Sequence, residues 1–150
     1  MNALLAFVHH VAAFTLVATL AIEFALIGGE LNLRNARRLQ LADMVFGLSS
    51  GVVLLAGLTR VFYLEKGPGY YFYSWPFLAK LVLFLVVGLA SIPPTLEFLS
   101  WRNSLKQGQI PVLSDARRRR LRGLMHLELA GIVLILLCAA LMARGIGHFG

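Results

Sequence analysis

Four stretches of this chain, at about residues 2–27, 41–64, 76–101 and 121–143, stay apolar beyond the roughly 20 residues an α-helix needs to cross about 30 Å of hydrocarbon. In lipid every backbone N–H and C=O must be satisfied within the segment, so such stretches cross as helices. Composition agrees, with 59% of residues hydrophobic and 14% charged, against about 25% charged in soluble domains. The connecting segments GGELNLRNARRLQ, EKGPGYYFYSW and RNSLKQGQIPVLSDARRRR are short enough to make neighbouring helices antiparallel. Residues 1–150 therefore read as one all-α membrane domain, an antiparallel four-helix bundle without a soluble module. The first stretch carries Glu23 and lacks a basic leader and a small-residue cleavage site, so it is expected to remain a helix of the mature protein.

Charge sets the orientation. Of the 14 Lys and Arg residues, only Arg60, Lys66, Lys80 and Arg144 fall on one side. The others, among them Arg34, Arg37, Arg38 and the run Arg117 to Arg120, fall on the opposite side. The positive-inside rule puts the crowded side in the cytoplasm and both termini in the periplasm of a bacterial inner membrane. The net charge of +7 is then explained by topology and contact with anionic lipid head groups, and no nucleic-acid partner is expected. The lone Cys138 has no disulfide partner in the chain and reads as a small packing residue.

Polar residues inside the spans carry the functional signal, because a charged group in hydrocarbon costs about 3 kcal/mol or more and so faces a partner, a cavity or a cofactor. At about 1.5 Å of rise per residue, His9, His10, Arg60, Lys80, Met142 and Arg144 fall in the outer layer of the bundle. Glu23, Asp43, Glu97, His126 and Glu128 fall in the inner layer. Helical phase places His9 within roughly 40° of Glu23, so His9 is expected to face the bundle and His10 the lipid interface. By the same reasoning Glu128 lines up with Ile135 and Met142, and His126 points away. Gly47 and Gly51 suggest close helix contact. Pro93 and Pro94 suggest a kink near which Ser91 or Thr95 takes up freed carbonyls.

One inward imidazole, several cations and a methionine at one level suit a haem, whose iron takes imidazole or thioether and whose propionates take Arg and Lys. His9 is the expected metal ligand or proton acceptor. Arg60, Lys80, Met142 and Arg144 complete the cofactor set, and Glu23 and Glu128 serve as proton carriers toward the cytoplasm. No two histidines lie at matching depth on different helices, so a bis-histidine site is not expected. The alternative is a small transporter or accessory subunit without cofactor, in which the same charges form an intramembrane network. A purely structural, homo-oligomerising module is the third reading.

The phrases RVFYLEKGPGYYFYSWPFLAK, LASIPPTLEFLSWR and LMARGIG, with His9 spaced ahead of Glu23, put charges and prolines at unusual places inside spans. On these the chain resembles, over nearly its whole length, an uncharacterised bacterial family of four-helix membrane proteins, a domain of unknown function. That resemblance implies topology and suspect residues, and no activity. More distantly the chain is similar to the HemJ-type protoporphyrinogen oxidases, membrane bundles that bind haem b and place a His in the first helix and a Lys in the third. The similarity implies haem b near His9 and Lys80, and an enzyme that oxidises a tetrapyrrole and passes electrons to quinone.

Overall fold

The computed structural model describes residues 2–64 and 66–149, and their regular structure is helical. Helix α1 spans Asn2–Gly28 and α2 spans Leu33–Thr59, with a single π turn, Arg60–Leu64, continuing α2. A short helix α3, Pro68–Phe72, precedes α4, Trp75–Ser100; a second short helix α5, Arg102–Lys106, precedes α6, Asp115–Ala143. Four segments, Ala3–Gly28, Leu33–Leu64, Trp75–Lys106 and Asp115–Ala143, are long and apolar enough to cross a membrane.

Two of these helices start earlier than hydropathy suggests. The side chain of Asn32 accepts from the Asn35 N–H at 2.9 Å, and that of Ser114 accepts from the Arg117 N–H at 3.3 Å. Each N-cap satisfies an orphan donor and starts its helix within the basic segment, so Arg34, Arg37, Arg38 and the run Arg117 to Arg120 are helical rather than loop. Hydropathy detects only the apolar part of such a helix.

Packing follows a ring. The most extensive contacts join α1 to α2 and α4 to α6, and smaller ones join α1 to α6 and α2 to α4. Glycine permits one close approach of two long helices: a Cβ at Gly131 of α6 would lie 2.6 Å from Cγ2 of Val87 on α4. Such small-residue contacts replace the hydrophobic drive that lipid does not provide. Gly47 and Gly51 do not play this part, since a Cβ at either would meet no heavy atom within 4 Å. Nor does the Pro93–Pro94 pair interrupt α4, which is helical throughout. Ser91 donates to the Gly88 carbonyl and Thr95 to Asp43, so neither takes up a carbonyl freed by the prolines.

The two ends of the helix set differ. At the end carrying the arginine runs, Arg118 donates to the Gly29 carbonyl at 2.7 Å, Arg37 to the Leu105 carbonyl at 3.4 Å, and Gln40 to the Phe98 carbonyl. Beneath them lies a core containing Leu20, Leu39, Phe98, Trp101 and Met125. At the other end the C-terminal residues fold back: Trp75 N–H donates to the Gly147 carbonyl at 3.1 Å and Phe149 N–H to the Tyr73 carbonyl at 2.9 Å. An isolated bridge pairs Ser74 with His148, whose ring stacks on Tyr70 at 4.3 Å between centroids.

Candidate functional site: an intramembrane cleft between polar layers

The ring of helices is open at its surface, where exposed side chains such as Phe14 and Leu136 stand on the edge of a recess floored by core residues such as Phe46 and Val87. A cleft of about 520 Å³, with residues of all four long helices on its wall, lies between the α1–α2 and α4–α6 pairs. From Phe84 to Thr95 along α4 it extends roughly 16 Å, at about 1.5 Å per residue. Its walls are apolar, with Phe14, Phe46, Phe84, Val87, Ile132 and Leu136 among them. This size and lining belong to small-molecule sites, where a few placed polar groups fix orientation. Here those groups are His10, Ser50, Ser91 and Thr95.

The adjacent histidines point to different neighbours. His9 is half-buried and packs on α2, where a Cβ at Gly57 would lie 3.4 Å from its Cε1; the absence of a side chain at 57 makes room for the ring. Its Nδ1 is buried and has no hydrogen-bond partner among the described residues. His10 lies one residue, about 100°, around α1 and lines the cleft. Its Nδ1 lies 2.6 Å from the Ala6 carbonyl oxygen. Facing an acceptor, that nitrogen carries the proton, which leaves a lone pair on Nε2. The two rings meet edge to face with centroids 5.9 Å apart.

Of the expected outer-layer partners, Arg60 and Lys80 are half-buried and within electrostatic reach of His9. The Lys80 ammonium also lies 5.9 Å from the Phe77 ring centroid. Met142 is elsewhere: it packs on the satellite cluster of Val61, Tyr71 and Phe77 and is not on the cleft wall. Arg144 is the exposed C-cap of α6.

Toward the arginine-rich end, three helices contribute buried carboxyls. Glu23 is 2% exposed, Glu128 is 1% and Asp43 is 8%, and Glu23 is within electrostatic reach of the other two. Asp43 Oδ1 accepts from the Thr95 hydroxyl at 2.7 Å, so the carboxyl layer touches the cleft at Thr95. Oε1 of Glu23 and of Glu128 have no hydrogen-bond partner among the described residues. Glu97 is tied instead to Arg117, at 3.4 Å, and to the Trp101 indole N–H, at 3.1 Å. His126 is exposed and meets only the edge of Phe24, as its phase relative to Glu128 suggests. Among the described residues no group of three or more His, Cys, Asp or Glu side chains is arranged to hold a bare metal ion.

Hydropathy and phase found Glu23 and Glu128, and missed the cleft. Its signal on α1 is the spacing His10, Ala13, Phe14, Val17, a second face a quarter-turn or more from the one His9 shares with Glu23.

No curated protein and no solved structure matches the chain. A family does match, over residues 1–147, and its character agrees with the four apolar helices described above. The chain belongs to the family described as Predicted membrane protein (DUF2214).

Proposed function

We propose that this membrane protein binds haem b or a related tetrapyrrole near its outer face, with the macrocycle in the cleft between the helix pairs. The observation that carries the reading is the combination of an apolar cleft of about 520 Å³ with a single imidazole on its wall whose Nδ1 is already tied to a backbone carbonyl. Tying Nδ1 in this way fixes the tautomer and orients Nε2, the arrangement usual for metal-bound histidine. His10 is therefore the metal ligand in this reading. His9, its edge against His10 and its ring beside the Val53 carbonyl, is the adjacent proton carrier in this reading. Arg60 and Lys80, off the cleft wall and within electrostatic reach of His9, are the cations this reading assigns to carboxylate side chains of the macrocycle. Met142 packs on the Val61, Tyr71 and Phe77 cluster, off the cleft wall, so His10 is the residue that would hold the metal.

When bound, the group supplies one-electron chemistry, and the protein supplies binding, orientation and proton handling. Glu23 and Glu128 carry protons inward, with Asp43 between them and the cleft. The topology of the reading is an antiparallel bundle with both termini outside, in a bacterial inner membrane, as a homo-oligomer. Its enzymatic form oxidises a tetrapyrrole and passes electrons to quinone. A second reading, a cofactor-free ion or proton pathway, is favoured by the buried carboxyls, two of which have unpartnered oxygens.

The test is optical. Protein from haem-replete cells, purified in mild detergent, is expected to show a Soret band that shifts on dithionite reduction, with haem near one per chain. His10→Ala should remove the band, and His9→Ala should leave it while altering its pH dependence. A folded, colourless protein rejects the cofactor reading and moves the proton pathway to first place.

A further inference from the structure

The polar groups on the cleft wall share a property that their identities alone do not reveal. The Ser50 hydroxyl donates to the Phe46 carbonyl at 2.9 Å, Ser91 to the Gly88 carbonyl at 2.7 Å, and Thr95 to Asp43 at 2.7 Å. His10 gives its ring N–H to the Ala6 carbonyl. The cleft-facing side chains able to donate a hydrogen have thus committed it within the protein, and what remains toward the cleft is lone pairs on oxygen and on imidazole nitrogen. The rest of the wall is apolar. A ligand carbonyl in such a place would meet no donor and would lose its hydrogen bonds to water without replacement, whereas an O–H or N–H would find an acceptor at either pole.

We propose that the cleft selects lipophilic molecules by the hydrogens they bring: it binds an apolar hydroquinone-type donor in preference to the quinone of the same carbon skeleton. The inference rests on the reading that the cleft is a ligand site; a tetrapyrrole held through His10 would take the same space and the same lone pair, so the two ligands compete. The two poles suit a molecule with hydroxyls at opposite ends of a flat ring. His10 lies toward one end of the cleft wall, and Ser91 and Thr95, one turn apart on α4, lie toward the other. The proton of Thr95 is held on Asp43, so its oxygen is the acceptor nearest the carboxyl layer.

The experiment is a matched-pair titration. Full-length protein in mild detergent is titrated with a decyl-substituted hydroquinone, kept reduced, and with its quinone, two hydrogens poorer. Binding is followed directly when the protein is colourless, and by displacement of the pigment when a Soret band is present. The hydroquinone is expected to bind at least tenfold more tightly. Thr95→Val, which keeps the shape and removes the acceptor, should narrow that ratio severalfold. Gly88→Leu, whose Cβ enters space free of heavy atoms within 4 Å, should abolish binding of both while the helix content is unchanged. Equal affinities, a preference for the quinone, binding of neither, or binding indifferent to Gly88→Leu overturns the proposal. A colourless protein that keeps the tenfold preference removes the haem reading alone, and a pigmented protein without the preference removes the donor rule alone.

Discussion

The arginine-rich end of the molecule and the cleft region are built from the same helices and treat polar groups in opposite ways. At the arginine-rich end, polar side chains close on neighbouring helices: Gln40 reaches the Phe98 carbonyl, Arg118 the Gly29 carbonyl, and Glu97 both Arg117 and Trp101. Around the cleft, most polar bonds stay within one helix, as in Ser50, Ser91 and His10. The first region ties helices together. The second leaves them apart and keeps lone pairs for something else. Cross-helix polar ties and open space are thereby concentrated at different levels of the helix axis.

The separation breaks most readily with two phenylalanines on α4. Phe98 is 1% exposed and packs on Trp101 at 5.1 Å between centroids, so Phe98→Ala should cost about 3 kcal/mol. Phe84 borders the cleft and is only half-buried, so Phe84→Ala should cost less than about 1 kcal/mol because part of its surroundings is already empty. Thermal or SDS-induced unfolding in micelles measures both, and equal losses would erase the distinction. Next comes Gln40→Leu, which removes the only bond described for that side chain across to α4, while the Phe98 carbonyl keeps the Trp101 N–H at 3.3 Å; about 1 kcal/mol should be lost.

Smaller effects sharpen the contrast. Glu97→Gln removes an ion pair whose Arg117 side chain is 58% exposed, so the loss should be a few tenths of a kcal/mol and should shrink as salt is raised. Glu128→Gln should be smallest of all in stability, within about 0.5 kcal/mol, since no described cation or donor holds Oε1. A large loss there would mean that Glu128 belongs to the fold rather than to the chemistry, and the same melting curves would report it.

Legibility in the sequence divides along the same line. The spans, the burial of Glu23 and Glu128 and the outward turn of His126 follow from length, hydropathy and a 100° step, because lipid imposes the same demand along every helix. The early starts of α2 and α6 are written in their N-cap residues, Asn32 and Ser114, which hydropathy does not register. The cleft is not legible. Phase reasoning assumes one inward face per helix, whereas α1 offers one face to α2, carrying His9, and another to the cleft, carrying His10. Which glycine draws two helices together also depends on the residue opposite: Gly131 faces Val87, while Gly47 faces open space.

The folded-back tail makes the C-terminus a poor place to hang anything. Gly147 has φ +85°, and a Cβ there would run into the Trp75 ring, so the clip that joins residues 147–149 to the start of α4 accepts little change of shape. A purification tag, a fluorescent reporter or a tether to a surface joined directly after this segment pulls first on Trp75 and Tyr73, through the backbone bonds that hold them. Labels meant to leave the protein as it is are better carried on a long flexible spacer, or in the segment between α5 and α6, where Ile110 and Val112 are already open to the surroundings.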